Sequence, residues 1–119
     1  MPTLVVVTNA VADKAKEMEF LKEASAMTAE CLGKPEAYVT VRVQTGASLI
    51  FGGTDEPAAQ CDLFCIGVLS QAVNHKYSAG LAPLLEKYFG IAKTRYYITY
   101  AIKERHEIGY NGSTFAGPA

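Results

Sequence analysis

Proline 2, directly behind Met1 and ahead of Thr3-Leu4-Val5-Val6-Val7-Thr8, is the residue whose chemistry depends most on where it stands. Initiator Met is removed when the next residue is small or proline, and the chain would then begin at Pro2. Its nitrogen would be a secondary amine, a basic group that no internal proline has. Held on a rigid ring at the head of a central strand, that nitrogen can sit in an apolar pocket. Desolvation there disfavours the ammonium form and lowers its pKa toward neutrality. A base poised near the working pH is what proton abstraction next to a carbonyl needs. The plainer alternative is an ordinary exposed chain end. Other reactive residue types offer less. Cys31, Cys61 and Cys65 form no CxxC pair and no metal spacing, and their odd number argues against a disulfide framework and for a reducing compartment. His75 and His106 stand alone, without ligand partners at metal spacing, and read as surface or capping residues.

The elements that must position Pro2 are legible in the periodicity. Leu4 to Thr8 is a β-branched run of buried-strand type. Asp13 is a good N-cap for a helix running to about Leu32. Met18, Phe20, Leu21, Ala24, Met27, Thr28, Cys31 and Leu32 share one side of that helix, and Lys16, Glu19, Lys22, Glu23 and Glu30 take the other. Gly33 supplies a left-handed end and Pro35 stops continuation. From Tyr38 the period becomes two, with Val39, Val41 and Val43 against Tyr38, Thr40, Arg42 and Gln44. A short strand, Ser48 to Phe51, is expected before Gly52-Gly53.

The same order then returns: a strand over Ala58 to Ile66, a helix capped by Ser70 and ended before Gly90, and a strand over Arg95 to Ile102. The two caps, Asp13 and Ser70, and the two glycines, Gly33 and Gly90, are each 57 positions apart, which points to an internal duplication. The pseudo-repeats are about 2–52 and 58–110. Pro83 should kink or interrupt the second helix. A last strand, Ile108 to Tyr110, leads into Asn111-Gly112. Two βαβ units side by side predict an α+β fold, a four-stranded mixed sheet with both helices on one face. The other face would carry Tyr38, Thr40, Arg42, Gln60, Asp62, Phe64 and Tyr97. An uncovered face with free edges usually finds a partner, so a homo-oligomer is expected.

Bulk properties set the class. The 119 residues are one domain by default, and half of them are hydrophobic, enough for a core. Eleven basic residues against twelve acidic give no electrostatic argument for nucleic acid or an anionic membrane. Leu4 to Val7 is too short for a signal-peptide core and no stretch approaches a membrane span. The expectation is a cytoplasmic protein, with secretion without a leader left open.

The residues also resemble a known family over almost the full length. Met1-Pro2, Gly33-Lys34-Pro35 followed by Tyr38, Phe51-Gly52-Gly53, Glu56-Pro57-Ala58, Ile66-Gly67, Arg95-Tyr96-Tyr97-Ile98 and Gly109 to Phe115 occur here in the order and spacing of the macrophage migration inhibitory factor family. These are phenylpyruvate and dopachrome tautomerases. The resemblance implies a homotrimer whose sheets enclose a channel, with active sites between neighbouring subunits. It implies Pro2 as acid and base, with Lys34 and the Ile66 N–H on the substrate carboxylate. Tyr97 would come from the adjacent subunit, to hydrogen-bond substrate or tune the base. Tyr38, Ile108, Tyr110 and Phe115 would wall an aromatic ring. Such a keto–enol isomerase needs no metal or cofactor. Lys34 would attract the carboxylate and depress the amine's pKa by like-charge repulsion. Duller readings stand beside these: Lys34 complementing a helix dipole, Tyr97 packing on a strand, Phe115 pinning the C-terminus.

The departures bear on substrate. Cys65 stands where the family often has serine, Thr99 where a pocket asparagine is familiar, and Tyr110 where a tryptophan is. The segment Ala58-Ala59-Gln60-Cys61 lacks the CxxC of some members, so no thiol-oxidoreductase activity is expected. Three functions compete. The first is a tautomerase for small aromatic α-keto acids. The second is a cytokine or cytokine mimic that binds a receptor if secreted. The third is a decarboxylase- or dehalogenase-like member of the wider superfamily, for which only Asp55 and Glu56 offer acids near the motifs.

Overall fold

A computed structural model describes residues 1–119. The chain runs β1 (Thr3–Thr8), α1 (Lys14–Leu32), a 3-10 turn (Glu36–Tyr38), β2 (Thr40–Gln44), β3 (Ala59–Ile66), α2 (Gln71–Phe89) and β4 (Tyr96–Lys103). A second 3-10 turn (Arg105–Glu107) then precedes a small hairpin of β5 (Gly109–Tyr110) and β6 (Ser113–Thr114). Four strands form one sheet in the order β2-β1-β3-β4. The outer pairs are parallel and the central pair, β1 with β3, is antiparallel.

The duplication reaches down to the register. Leu4 pairs with Val41 and Cys61 with Ile98, so the 57-residue offset carries one pair onto the other. Across the centre, Leu4 faces Leu63 and Val6 faces Cys61, and the offset exchanges these two pairs as a pseudo-twofold axis requires. The helices obey it too. Both have 19 residues, and the buried positions Phe20, Ala24 and Leu32 of α1 fall on Tyr77, Leu81 and Phe89 of α2.

Each helix is fixed at both ends as its sequence requires. The Asp13 carboxylate accepts from Lys16 N at 2.9 Å and the Ser70 hydroxyl from Val73 N at 3.2 Å. Gly33 and Gly90 take the left-handed φ of 64° and 65° that closes a helix, where a Cβ would be strained. Leu4, Val6, Cys61, Leu63 and Cys65 line the covered face of the sheet and pack on the helices. Within this core the hydroxyls of Thr28 and Tyr77, both fully buried, satisfy each other at 2.7 Å.

Four expectations are corrected. Pro83 does not break α2. It lies on the solvent side of an unbroken helix, where the Ala79 carbonyl that loses its N–H partner can be satisfied by water. Ser48 to Phe51 forms no strand, because no neighbouring strand lies beside it in the chain; Phe51 makes only an isolated bridge to Thr54. Tyr38 belongs to the 3-10 turn before β2 and not to the strand. Met18 is exposed, because two residues, about half a turn, put it on the opposite side of α1 from the buried Phe20. The 51–57 loop is instead held by Arg95, whose guanidinium donates to the carbonyls of Phe51 (2.8 Å), Glu56 (2.9 Å), Thr54 and Pro57 (both 3.4 Å).

Candidate active site

The starts of β1 and β2 and the ends of β3 and β4 lie at the same end of the sheet, since Thr3 pairs with both Thr40 and Phe64. Pro2 stands there, its ring fully buried on the helix side and its carbonyl accepting from Thr40 N at 3.0 Å. Met1 continues into a cleft of about 190 Å³ lined by Met1, Lys34, Pro35, Tyr38, Ile66, Arg105 and Phe115.

Separate local devices deliver these side chains. Lys34 follows the left-handed Gly33, and its backbone N–H returns to Ala29 O at 3.0 Å, the closure that fixes the residue beyond a helix end. Ile66 ends β3, and Gly67 and Val68 then turn the chain sharply with φ of 65° and 56°. Positive φ is costly for a β-branched residue, so Val68 stores strain next to the cleft. Asn111 and Gly112, both at positive φ, make the tight turn of the β5–β6 hairpin. The hairpin returns Phe115, whose N–H bonds Ile108 O at 3.1 Å, to the cleft.

There the aromatic residues meet. Tyr110 stacks on Phe115 with centroids 5.1 Å apart, and Tyr38 meets both rings edge-on at 5.8 and 6.1 Å. One wall is therefore apolar and flat, while Lys34 and Arg105 supply positive charge. The amino terminus at this place has its pKa lowered, first by burial. Cys65 opposes that effect and Lys34 adds to it. Cys65 itself is fully buried, its Sγ 3.7 Å from Ile66 O. The other buried strand thiol, Cys61, is pushed up to about 12 by burial, which leaves it protonated and inert.

Lys34, Tyr38, Ile66 and Phe115 line this cleft, Tyr110 packs on two of its rings, Ile108 bonds Phe115, and the fully buried Pro2 and Cys65 adjoin Met1 and Ile66 in the chain. Tyr97 and Thr99 do not join them within one chain. Tyr97 pairs with Gln60, five positions along the strand from the level of Pro2, or about 17 Å, and two strands across, about 10 Å. It is 76% exposed, packs on Phe51 at 5.2 Å, and with Thr99 borders a second concavity lined by Leu49, Ile50 and Gln60. Arg105 is the cleft residue that sequence reasoning missed. Its one available signal was a Glu104-x-x-Glu107 pattern that closes the turn carrying it as a capping box. No cluster of His, Cys, Asp or Glu is placed to hold a metal ion, and no helix is long and apolar enough to cross a membrane.

Residues 1–116 match the family model for macrophage migration inhibitory factor. The chain belongs to that family. It is 38% identical over 115 residues to a macrophage migration inhibitory factor homolog of Brugia malayi, covering 97% of this chain and 99% of that one. To the mouse macrophage migration inhibitory factor it is 38% identical over 116 residues, 98% and 100% of the two chains. A crystal structure of the homologue from Prochlorococcus marinus superposes with a TM-score of 0.90 at 31% identity, covering 95% of this chain and 98% of that one. The duplicated βαβ sheet is accordingly the fold of this family within the tautomerase superfamily, a fold that supports isomerase chemistry of the tautomerase type.

Proposed function

We propose that the protein is a cofactor-independent keto–enol tautomerase of small aromatic α-keto acids of the phenylpyruvate kind. The observation that carries this reading is the convergence of the amino terminus, Lys34 and the Tyr38–Tyr110–Phe115 wall on one cleft. With Met1 removed, the Pro2 nitrogen opens onto that cleft while its ring stays anchored in the core. Burial and the Lys34 charge lower the pKa of the Met1 amine, and the same two causes would favour a neutral Pro2 amine once Met1 is removed.

The Pro2 lone pair takes a proton from the carbon next to the keto group. The electrons of the C–H bond become the enolate double bond, and negative charge moves onto the keto oxygen. The same nitrogen then returns the proton to that oxygen, giving the enol, and the reverse sequence regenerates the ketone. Lys34 and the Ile66 N–H bind the carboxylate, and the positive charge at Lys34 also favours the enolate as it forms. The aromatic wall, with Ile108 behind it, orients the ring. Cys65 is close enough to influence the amine but is fully buried, its Sγ 3.7 Å from Ile66 O, so in this reading it bears on the base and not on the substrate.

The active unit in this reading is a homotrimer. A cleft of about 190 Å³ is small beside the roughly 300–1,000 Å³ of most small-molecule sites. The exposed Tyr97, the unpaired β4 edge and the exposed Ile50 beside them are suited to a neighbouring copy. Tyr97 and Thr99 of one subunit would complete the site around Pro2 of the next.

The test uses tag-free protein whose mature N-terminus is verified by intact mass. Enol–keto exchange of phenylpyruvate is followed by ultraviolet absorbance for the wild type and Pro2→Gly. The expected outcome is strong activity in the wild type that collapses in the variant. Equal rates would show that the secondary amine and rigid ring of Pro2 are not what the reaction uses.

A further inference from the structure

Two cations enter the cleft from different elements, Lys34 behind α1 and Arg105 in the turn after β4. No carboxylate pairs with either one: the one lysine or arginine ion pair of this chain is Lys87 with Glu23. The acids that flank Arg105 in sequence are occupied elsewhere. Glu104 holds His106 Nε2 at 2.6 Å and caps the turn, and Glu107 Oε1 accepts Glu104 N at 2.8 Å.

Arg105 is nonetheless fixed in place. Its Nε donates to Phe115 O at 3.1 Å, which ties the guanidinium to the residue that forms the aromatic wall. That bond uses one of five donors and leaves both terminal nitrogens without a protein partner. The exposed guanidinium therefore keeps its fork free at the cleft that Arg105 lines together with Phe115.

A monoanionic keto acid needs one cation, and Lys34 supplies it. A second, unneutralised cation beside the first costs like-charge repulsion in the empty protein unless a ligand offsets it. We propose that Arg105 is a specificity-determining residue, and that the preferred substrate is an aromatic keto acid carrying a second carboxylate on its ring side. The carboxylate next to the keto group lies at Lys34 and the second one at the Arg105 fork. This inference rests on the tautomerase reading of the same cleft and narrows its substrate class.

The experiment compares phenylpyruvate with 4-carboxyphenylpyruvate in the wild type, Arg105→Gln and Arg105→Lys. Alongside turnover, calorimetry measures the binding of phenylacetate and 4-carboxyphenylacetate, which do not react. The wild type should favour the dianion. Arg105→Gln should raise KM for the dianion about tenfold more than it raises KM for phenylpyruvate, the size of one charge-assisted hydrogen bond partly open to water. Arg105→Lys should restore part of the preference, because it keeps the charge and loses the fork. An equal loss on both substrates in Arg105→Gln would make Arg105 a mere anchor of Phe115 and overturn the inference. So would turnover of both substrates by the wild type without preference. Absent turnover with Arg105-dependent binding of the dianion would sustain the Arg105 site and remove the tautomerase reading instead.

Discussion

If Tyr97 serves the cleft of a neighbouring subunit, two inactive variants should restore each other. Pro2→Gly replaces the rigid secondary amine by a flexible primary one but keeps Tyr97, and Tyr97→Ala lacks the tyrosine but keeps Pro2. Within one chain the two positions are separated by about 17 Å along the strands and about 10 Å across them, too far for a tyrosine side chain to bridge. Tyr97 is 76% exposed, so its truncation should leave the subunit folded. Mix the two unfolded variants in equal amounts and refold them together. A site is complete when its own subunit carries Pro2 and the contributing neighbour carries Tyr97, each with a chance of one half. Random closed trimers should therefore hold about one quarter of the wild-type number of complete sites. The assay is phenylpyruvate ketonisation, with native mass spectrometry to verify that mixed trimers have formed. Activity no greater than the sum of the separately refolded parents, in verified mixed trimers, would refute the shared site.

Two further outcomes follow from the same geometry. Lys34→Gln should lower kcat/KM for phenylpyruvate by about one to two orders of magnitude, as expected for losing a hydrogen bond to a charged group. The amine acts unprotonated, so activity rises with pH through its pKa. Lys34 lowers that pKa, and removing its charge raises it, so the acid limb of the pH–rate profile should move to higher pH. An acid limb that stays in place or moves down would show that Lys34 does not act on the base. In the core, Tyr77→Phe should cost about 1–3 kcal/mol in urea unfolding because it strands the buried Thr28 hydroxyl. Adding Thr28→Val should recover part of that loss. A costless Tyr77→Phe would mean that the Thr28 hydroxyl finds another partner, such as a carbonyl one turn back in α1.

The scaffold was legible because its signals are local. Asp13 and Ser70 cap helices, Gly33 and Gly90 end them, and alternation along Ala59–Ile66 and Tyr96–Lys103 marks strands, all through backbone and side-chain rules that act within a few residues. The offset of 57 then joined the two halves without any knowledge of contacts. Where the reading failed, the deciding partner was distant or absent. Ser48 to Phe51 has strand-like residues and no strand beside it, and Pro83 is tolerated because its side of α2 faces water.

The site divides in the same way. The family resemblance marked Pro2, Lys34, Ile66 and Phe115 as a set. Only the tertiary structure brought the start of β1 and the end of β3 to one level, turned the hairpin back so that Phe115 stacks on Tyr110, and put Arg105 in the cleft. It also sent Tyr97 and Thr99 away from Pro2, because a position on a strand fixes distance along the sheet and the chain folds only one such sheet. The sequence by itself determined the elements, their duplication and the kinds of groups available for chemistry. Which of those groups share a cleft was decided by strand register and by a turn and a hairpin that join parts of the chain far apart in sequence.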